Sequence, residues 1–276
     1  MNQLALAQIL LLFMLASCTE EVTPPPVPAP APAEPTTLSP QKPTEQSSAV
    51  LPDFSKFKDV KKKKEAFFSF MHPHIKSAND KVWEERQRVE ELKEQMKNND
   101  LTPDDIDELN AIADRYSVKM SGRLTEDEFK QLLLRIDVIP ASLILAQAAN
   151  ESAWGTSRFA REGRNLFGIW CYTPGCGLTP KRRNANAKHE VRVFDTFQDG
   201  IAYYIHNLNT GQAYRRLRDL RAGSRAEDTK PTGIQVAPGL IKYSERGQAY
   251  VDEIRRMIRQ NNLSRFLTDR ERLESE

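Results

Sequence analysis

Between Leu51 and Glu151 apolar residues recur at helical spacing, and no stretch alternates as a half-buried strand does. The run KKKKEAFFSFM starts a helix with Phe67, Phe68, Phe70 and Met71 on its apolar side. The following stretch, KVWEERQRVEELKEQMKNN, is a highly charged helix with a thin stripe of Val82, Val89 and Leu92. Thr102-Pro103-Asp104-Asp105 supplies a cap, a proline at the first helical position and an acid at the third. Thr125-Glu126-Asp127-Glu128 repeats the box, and Phe129, Leu132, Leu133 and Ile136 follow at helical intervals. Pro140 opens the next helix, LILAQAANESAW, which contains Glu151. The acids from Asp104 to Glu108 lack the glycine and ligand spacing of a calcium loop and read as helix capping.

After Gly163 the pattern changes. Residues 165–195 are rich in Gly, Pro and Asn, and HEVRVFD has the period-two alternation of a strand, so a hairpin or small sheet belongs here. Helices resume at Thr196, whose box partner is Asp199, with Ile201, Tyr204, Ile205 and Leu208 on one face and Gly211 at the end. A last helix runs from about Gly247 to Asn261, with Tyr250, Ile254 and Ile258 inward. The pattern predicts a mainly α (α+β) chain with a minor β lobe inserted after the Glu151 helix.

Residues 4–16 (LALAQILLLFMLA) are apolar but shorter than the roughly 20 residues that span a membrane. With Leu15-Ala16-Ser17-Cys18 they look like a bacterial lipoprotein signal, cleaved before a cysteine that then carries lipid. An ordinary secretory signal or an apolar helix is the other reading. Thr19, which is not aspartate, points such a lipoprotein to the outer membrane, facing the periplasm. Nine of the seventeen prolines fall between Pro24 and Pro43. Such a segment cannot bury enough apolar surface to fold, and at about 3.1 Å per residue it reaches on the order of 100 Å as a tether. With Cys18 lipidated, Cys171 and Cys176 remain as an even pair, which suits one disulfide in an exported protein.

Composition narrows the partners. The net charge of +2 argues against a dedicated nucleic-acid binder. Three Cys and four His show no paired metal-ligand spacing, so no metal is expected. The basic runs Lys61–Lys64 and RRLRDLRAGSR from Arg215 fit either a solvated helix face or contact with an anionic polymer or lipid.

The candidate chemistry lies at the end of the 140s helix. With Leu143 inward, Gln147, Asn150, Glu151 and Trp154 fall at +4, +7, +8 and +11, on the same stripe, which turns from apolar to polar just before Gly155. Two effects raise the pKa of a carboxyl placed there: the negative end of the helix dipole and loss of solvation against apolar groups. A carboxyl that keeps its proton near neutral pH can deliver it to a leaving group. Spacing alone leaves open the alternative, an exposed helix-terminal glutamate without a task.

AQAANESAWGTSRFAREGRNLFGIW resembles the signature of the glucosaminidases of glycoside hydrolase family seventy-three, which cleave bacterial cell-wall glycan. VRVFDTFQDGIAYYIHNL is similar to the family's strand-to-helix return, and YSERGQAYVDEIRRMI to its segment bearing a functional tyrosine. CYTPGC after NLFGIW, KYSERGQAY, and LPDFSKFKDVKKKKEAFFSF place the likeness in the family's Bax group. The resemblance implies a lysozyme-like helical domain with a small β-hairpin lobe. It also implies hydrolysis of the β-1,4 bond after N-acetylglucosamine in peptidoglycan, without a cofactor. Glu151 then matches the general acid and Tyr243 the tyrosine that steadies the reacting sugar or positions water. A second carboxylate would be Glu190 or Asp195, although Asp195 also suits helix capping; a route using the sugar's own acetamido group needs neither. Trp154, Phe167, Trp170 and Tyr172 are candidates for stacking on sugars, although Phe167 reads first as a core residue. Gln147 and Asn150 would bind acetamido groups or orient Glu151. A Cys171–Cys176 bridge would pin the loop at the groove's edge. Lytic transglycosylase chemistry, which also needs one glutamate, and a non-catalytic wall-binding protein are the rival readings. The expected division is a signal peptide at 1–17, the lipidated tether at 18–50, a helical region at 51–123, a catalytic domain at 124–267 and a charged tail at 268–276. A monomer is expected. Residues 51–123 would either pack on the groove or form a separate arm.

Overall fold

The computed structural model describes residues 50–181, 183 and 187–266. The expected signal peptide, Cys18, the Pro-rich tether up to residue 49 and the tail at 268–276 lie outside the described residues. The fold is mainly α, of the lysozyme-like type, with a small antiparallel sheet.

Helix α1 (Val60–Asn98) joins the two N-terminal runs into one helix of 39 residues and carries Pro73 within it. The sequence pattern shows two helices here. Tertiary packing overrides the proline, because Phe67, Phe68, Met71, Ile75 and Ala78 are all buried around it. At 1.5 Å per residue α1 is about 58 Å long. Its start is held by Asp59 Oδ1, which accepts from the backbone N–H of Lys61 (2.7 Å) and Lys62 (3.1 Å).

Two further helices begin at reciprocal capping boxes, as the sequence predicts: α2 (Pro103–Arg115) at Thr102 with Asp105, and α3 (Glu126–Arg135) at Thr125 with Glu128. They close a small core with the second half of α1, where Val89 and Leu92 meet Leu109, Ile112, Phe129 and Leu132. The first half of α1 enters a larger core with α4 (Ala141–Glu151), α6 (Phe197–Thr210) and α9 (Gln248–Gln260). Of residues 51–123, the stretch 51–80 is therefore integral to the body that carries Glu151, while the buried residues from 89 to 118 belong to the smaller core. Every residue of α4 from Ala141 to Ala149 is buried, so this helix is surrounded rather than one-sided.

Between α4 and α6 lie α5 (Arg158–Gly163) and three short strands, β1 (Trp170–Cys171), β2 (Gly177–Leu178) and β3 (Glu190–Arg192). The sheet order is β1-β3-β2, with Cys171 opposite Glu190 and Gly177 opposite Arg192. Only glycine fits at 177, since a Cβ there would overlap the Val191 carbonyl. Short helices α7 (Arg215–Ala226) and α8 (Gly233–Val236) complete the large core before α9.

The basic stretch from Arg215 is not a solvated or polymer-facing surface as a whole. Arg218 and Arg221 are buried. Arg221 Nη1 donates to Asp137 O (2.9 Å) and Asn209 Oδ1 (2.7 Å), and its Nη2 to Leu134 O (3.0 Å). It thereby satisfies carbonyls in and just beyond the last turn of α3, where a helix leaves acceptors unpaired. Arg225 grips Asp137 through Nε (2.5 Å) and Nη2 (2.6 Å). Residues 218, 221 and 225 share one helix face: Arg218 donates to Leu208 O and Gly211 O, while Arg221 and Arg225 meet the buried Asp137, which is distant in sequence and gives no local signal. In the other basic run Lys61 and Lys62 are exposed, while Lys64 Nζ donates to Asn261 Oδ1 (3.1 Å) and sits 4.9 Å from the Trp154 ring centroid.

Candidate functional site

Helix α4 ends at Glu151 because the chain turns left-handed: Ala153 has φ 51°, Trp154 φ 61° and Gly155 φ 74°. Ser152 secures this turn, donating to Ala148 O (2.5 Å) and accepting from the Gly155 N–H (2.8 Å). A Cβ on Gly155 would stand 2.7 Å from the Phe54 ring, so glycine also makes room for the N-terminal segment. The turn carries Trp154 off the helical stripe on which spacing places it. Its indole packs edge-on against Phe67 (5.9 Å) and Phe68 (5.3 Å), partly buried on α1.

Glu151 is only partly exposed, and it meets one tyrosine directly while two more stand behind that one. Tyr250, on α9, donates its hydroxyl to Glu151 Oε1 at 2.7 Å. Tyr250 accepts in turn from Gln147 Nε2 at 2.9 Å, and Gln147 Oε1 accepts a short hydrogen bond from the Tyr204 hydroxyl on α6. Asn150 Nδ2 adds a longer bond of 3.3 Å to the same carboxylate oxygen. Tyr243, in the turn before α9, stacks on Tyr250 with centroids 5.5 Å apart and donates to Phe167 O at 2.8 Å. Burial pushes the Glu151 carboxyl above its ordinary value, against the opposing pull of Tyr250, Asn150 and the Arg246 charge. Burial likewise raises Tyr250 and Tyr243, so both hydroxyls keep their protons.

Gln147, Asn150, Glu151 and Tyr243 are thus brought together. Gln147 is wholly buried, so it orients Glu151 through Tyr250 and does not reach a sugar directly. Phe167 is core, 2% exposed and stacked 3.9 Å from Tyr204, and is withdrawn as a sugar-stacking residue. Trp170 and Tyr172 do stand out on the β lobe, at 39% and 46% exposure, and Trp170 has one face covered by His189 at 3.9 Å. Cys171 and Cys176 form the expected disulfide. Glu190 Oε1 accepts from Gly175 N (3.3 Å) and Oε2 from Gly177 N (2.8 Å), so this carboxylate braces the disulfide loop. Asp195 is exposed and does not cap α6; that role falls to Thr196 with Asp199.

Sequence reasoning placed Tyr204 and Tyr250 inward as core and missed what their hydroxyls do. The signal was there: tyrosine at an inward position needs a polar partner, and a glutamine within the apolar LILAQAA run supplies one.

A carboxyl whose pKa is raised by burial at the edge of a helical core is the kind of group that can protonate an ether-type oxygen, the demand that glycoside cleavage makes. Comparison with known proteins gives the same class. The family described as mannosyl-glycoprotein endo-beta-N-acetylglucosaminidase matches residues 126–263. The chain is also 33% identical over 214 residues to Protein bax of Escherichia coli (strain K12), across 78% of this chain and 75% of that protein. This chain belongs to the glucosaminidase family, a family of glycosidase-type enzymes acting on glycans. No solved structure matches it.

Proposed function

We propose that the protein hydrolyses the β-1,4 bond after N-acetylglucosamine in peptidoglycan, with Glu151 as general acid. One observation carries this reading: Glu151 combines a burial-raised pKa with a fixed donor, Tyr250, at 2.7 Å. The Glu151 proton passes to the glycosidic oxygen as the bond from C1 to that oxygen breaks; water then adds at C1 and returns a proton to the Glu151 carboxylate, giving two hydroxyl ends. Asn150, Trp170 and Tyr172 are proposed to line the groove, and Tyr243 to steady the reacting sugar. Lipid at Cys18 and the tether would hold the enzyme to the outer membrane, on the periplasmic side.

A specific feature favours a route with one carboxylate. Both oxygens of Glu190 are engaged by loop amides, so Glu190 has a structural task already. Either the substrate's acetamido group assists hydrolysis, or cleavage is of the lytic transglycosylase type. Chromatography with mass analysis of digested, purified sacculi separates them. A reducing-end N-acetylglucosamine is expected; anhydro-muramic ends would replace hydrolysis by the second route. Equal digestion by wild type and Glu151→Gln would remove Glu151 from the chemistry altogether.

A further inference from the structure

The hydrogen-bond chain that ends on Glu151 has a direction, and it is set two residues back from the carboxyl. Tyr204 is fully buried, and Gln147 Oε1 is its hydrogen-bond partner among the described residues. Its hydroxyl therefore donates there or leaves its hydrogen unsatisfied, an expensive state inside a core. That turns the Gln147 carbonyl toward Tyr204 and its Nε2 hydrogens toward Tyr250, which accepts at 2.9 Å. With an N–H aimed at its oxygen, Tyr250 spends its own hydrogen on Glu151 Oε1. Asn150 donates to that oxygen too. Turning the Gln147 amide over would strand the Tyr204 hydrogen.

We propose that Tyr204, Gln147 and Tyr250 are a one-way relay of positioning residues that holds Oε1 of Glu151 as an acceptor and keeps the transferable proton on Oε2. A proton on Oε1 would face the hydrogen of Tyr250, and Tyr250 cannot rotate away while Gln147 donates to it. The inference rests on the acid role proposed for Glu151 and adds which oxygen performs it. The other groups acting on the carboxyl are Arg246 and Glu253, whose charges oppose each other and which pair together, and the neutral ring of Tyr243.

The test is a carboxyl titration of the full chain by carbon-13 NMR, with Glu151 assigned by its loss in Glu151→Gln. Tyr250→Phe removes the donor to the ionised form, and the Glu151 midpoint is expected to rise by about one pH unit. Tyr204→Phe frees the Gln147 amide to turn and compete for the Tyr250 hydrogen, so the midpoint rises in the same direction by less. An unchanged midpoint in either variant overturns the relay. Should Tyr250→Phe fail to fold, Tyr204→Phe decides alone, since it deletes one oxygen from a ring that keeps its stacking on Phe167. Sacculus digestion is followed in parallel. The alkaline limb of kcat/KM should move to higher pH with the titration, whereas a merely structural loss would lower the rate without moving the limb. If wild type cleaves no glycan, the acid role fails while the titration still decides the relay.

Discussion

Replacing Phe67 by alanine tests whether α1 belongs to the body that carries Glu151. Its ring is fully buried and meets Phe54 at 5.4 Å, Phe68 at 5.9 Å and Trp154 at 5.9 Å. Truncating a buried Phe costs about 3–5 kcal/mol in lost transfer energy and residual cavity. Each edge-on aromatic pair adds about 0.5–1.5 kcal/mol beyond area, part of it already inside that range. The cavity does not close by relaxation, because α4 and Gly155 hold the opposite wall fixed. We therefore expect about 4–5 kcal/mol by urea unfolding, or a fall in Tm of roughly 10 °C or more. Phe57→Ala is the control: its ring is 38% exposed, and its loss should cost under about 1 kcal/mol. A loss below about 2 kcal/mol for Phe67→Ala, or two separate unfolding transitions, would refute the claim that α1 and α4 share one core.

Two further outcomes follow from the same structure. Arg221→Met should lower stability by about 3–5 kcal/mol, because it leaves Asp137 and several carbonyls near the end of α3 short of a donor; exposed Arg216→Met should stay within about 0.5 kcal/mol, and equal effects on Tm would contradict this. Glu151→Gln should be more stable than wild type at neutral pH by about 1 kcal/mol. The folded carboxyl titrates above its ordinary 4.5, so the penalty appears as pH rises through 4.5 and is absent below it; a thermal melt showing the variant less stable at pH 7, or equally favoured at pH 3, would reverse this sign.

Helix starts were legible because they are written locally. Thr102, Thr125 and Thr196 each carry their box partner three residues on, and all three boxes form. The Cys171–Cys176 bridge was legible for a similar reason, since the pair is a short-range pattern, and so was the end of α4 at Glu151, just before Gly155. What failed was long-range. The two N-terminal runs read as successive stretches, and packing by Phe67 and Ile75 on either side of Pro73 joins them into one helix. Trp154 left its stripe because Ala153 takes φ 51°, a conformation no periodicity announces. The burial of Arg221 depended on Asp137, 84 positions away along the bonds it makes. Tyr250 sits 99 residues from the carboxyl it serves, so its task shows only once α9 is packed on α4.

The chain contains a natural control for the argument about Glu151. Asp137 is buried more deeply, at 2% exposure, and burial alone would raise its pKa as it raises that of Glu151. Instead Arg221, Arg225 and Arg86 hold Asp137 below the usual carboxylate range. Desolvation is common to both sites, so the difference lies in the partners. Guanidinium groups supply hydrogen bonds together with charge, which locks a carboxyl in the ionised form and suits it to bracing a core. Tyrosine and asparagine supply hydrogen bonds without charge. They fix the position of Glu151 and only partly offset its desolvation, so the net shift stays upward. A proton donor needs that combination of rigidity and retained proton, and neutral donors provide it where a cation would cancel the second property. If Glu151 is the acid proposed above, neutral partners such as Tyr250 and Asn150 are what its chemistry requires, and the arginines around Asp137 show what the same burial yields when that requirement is not imposed.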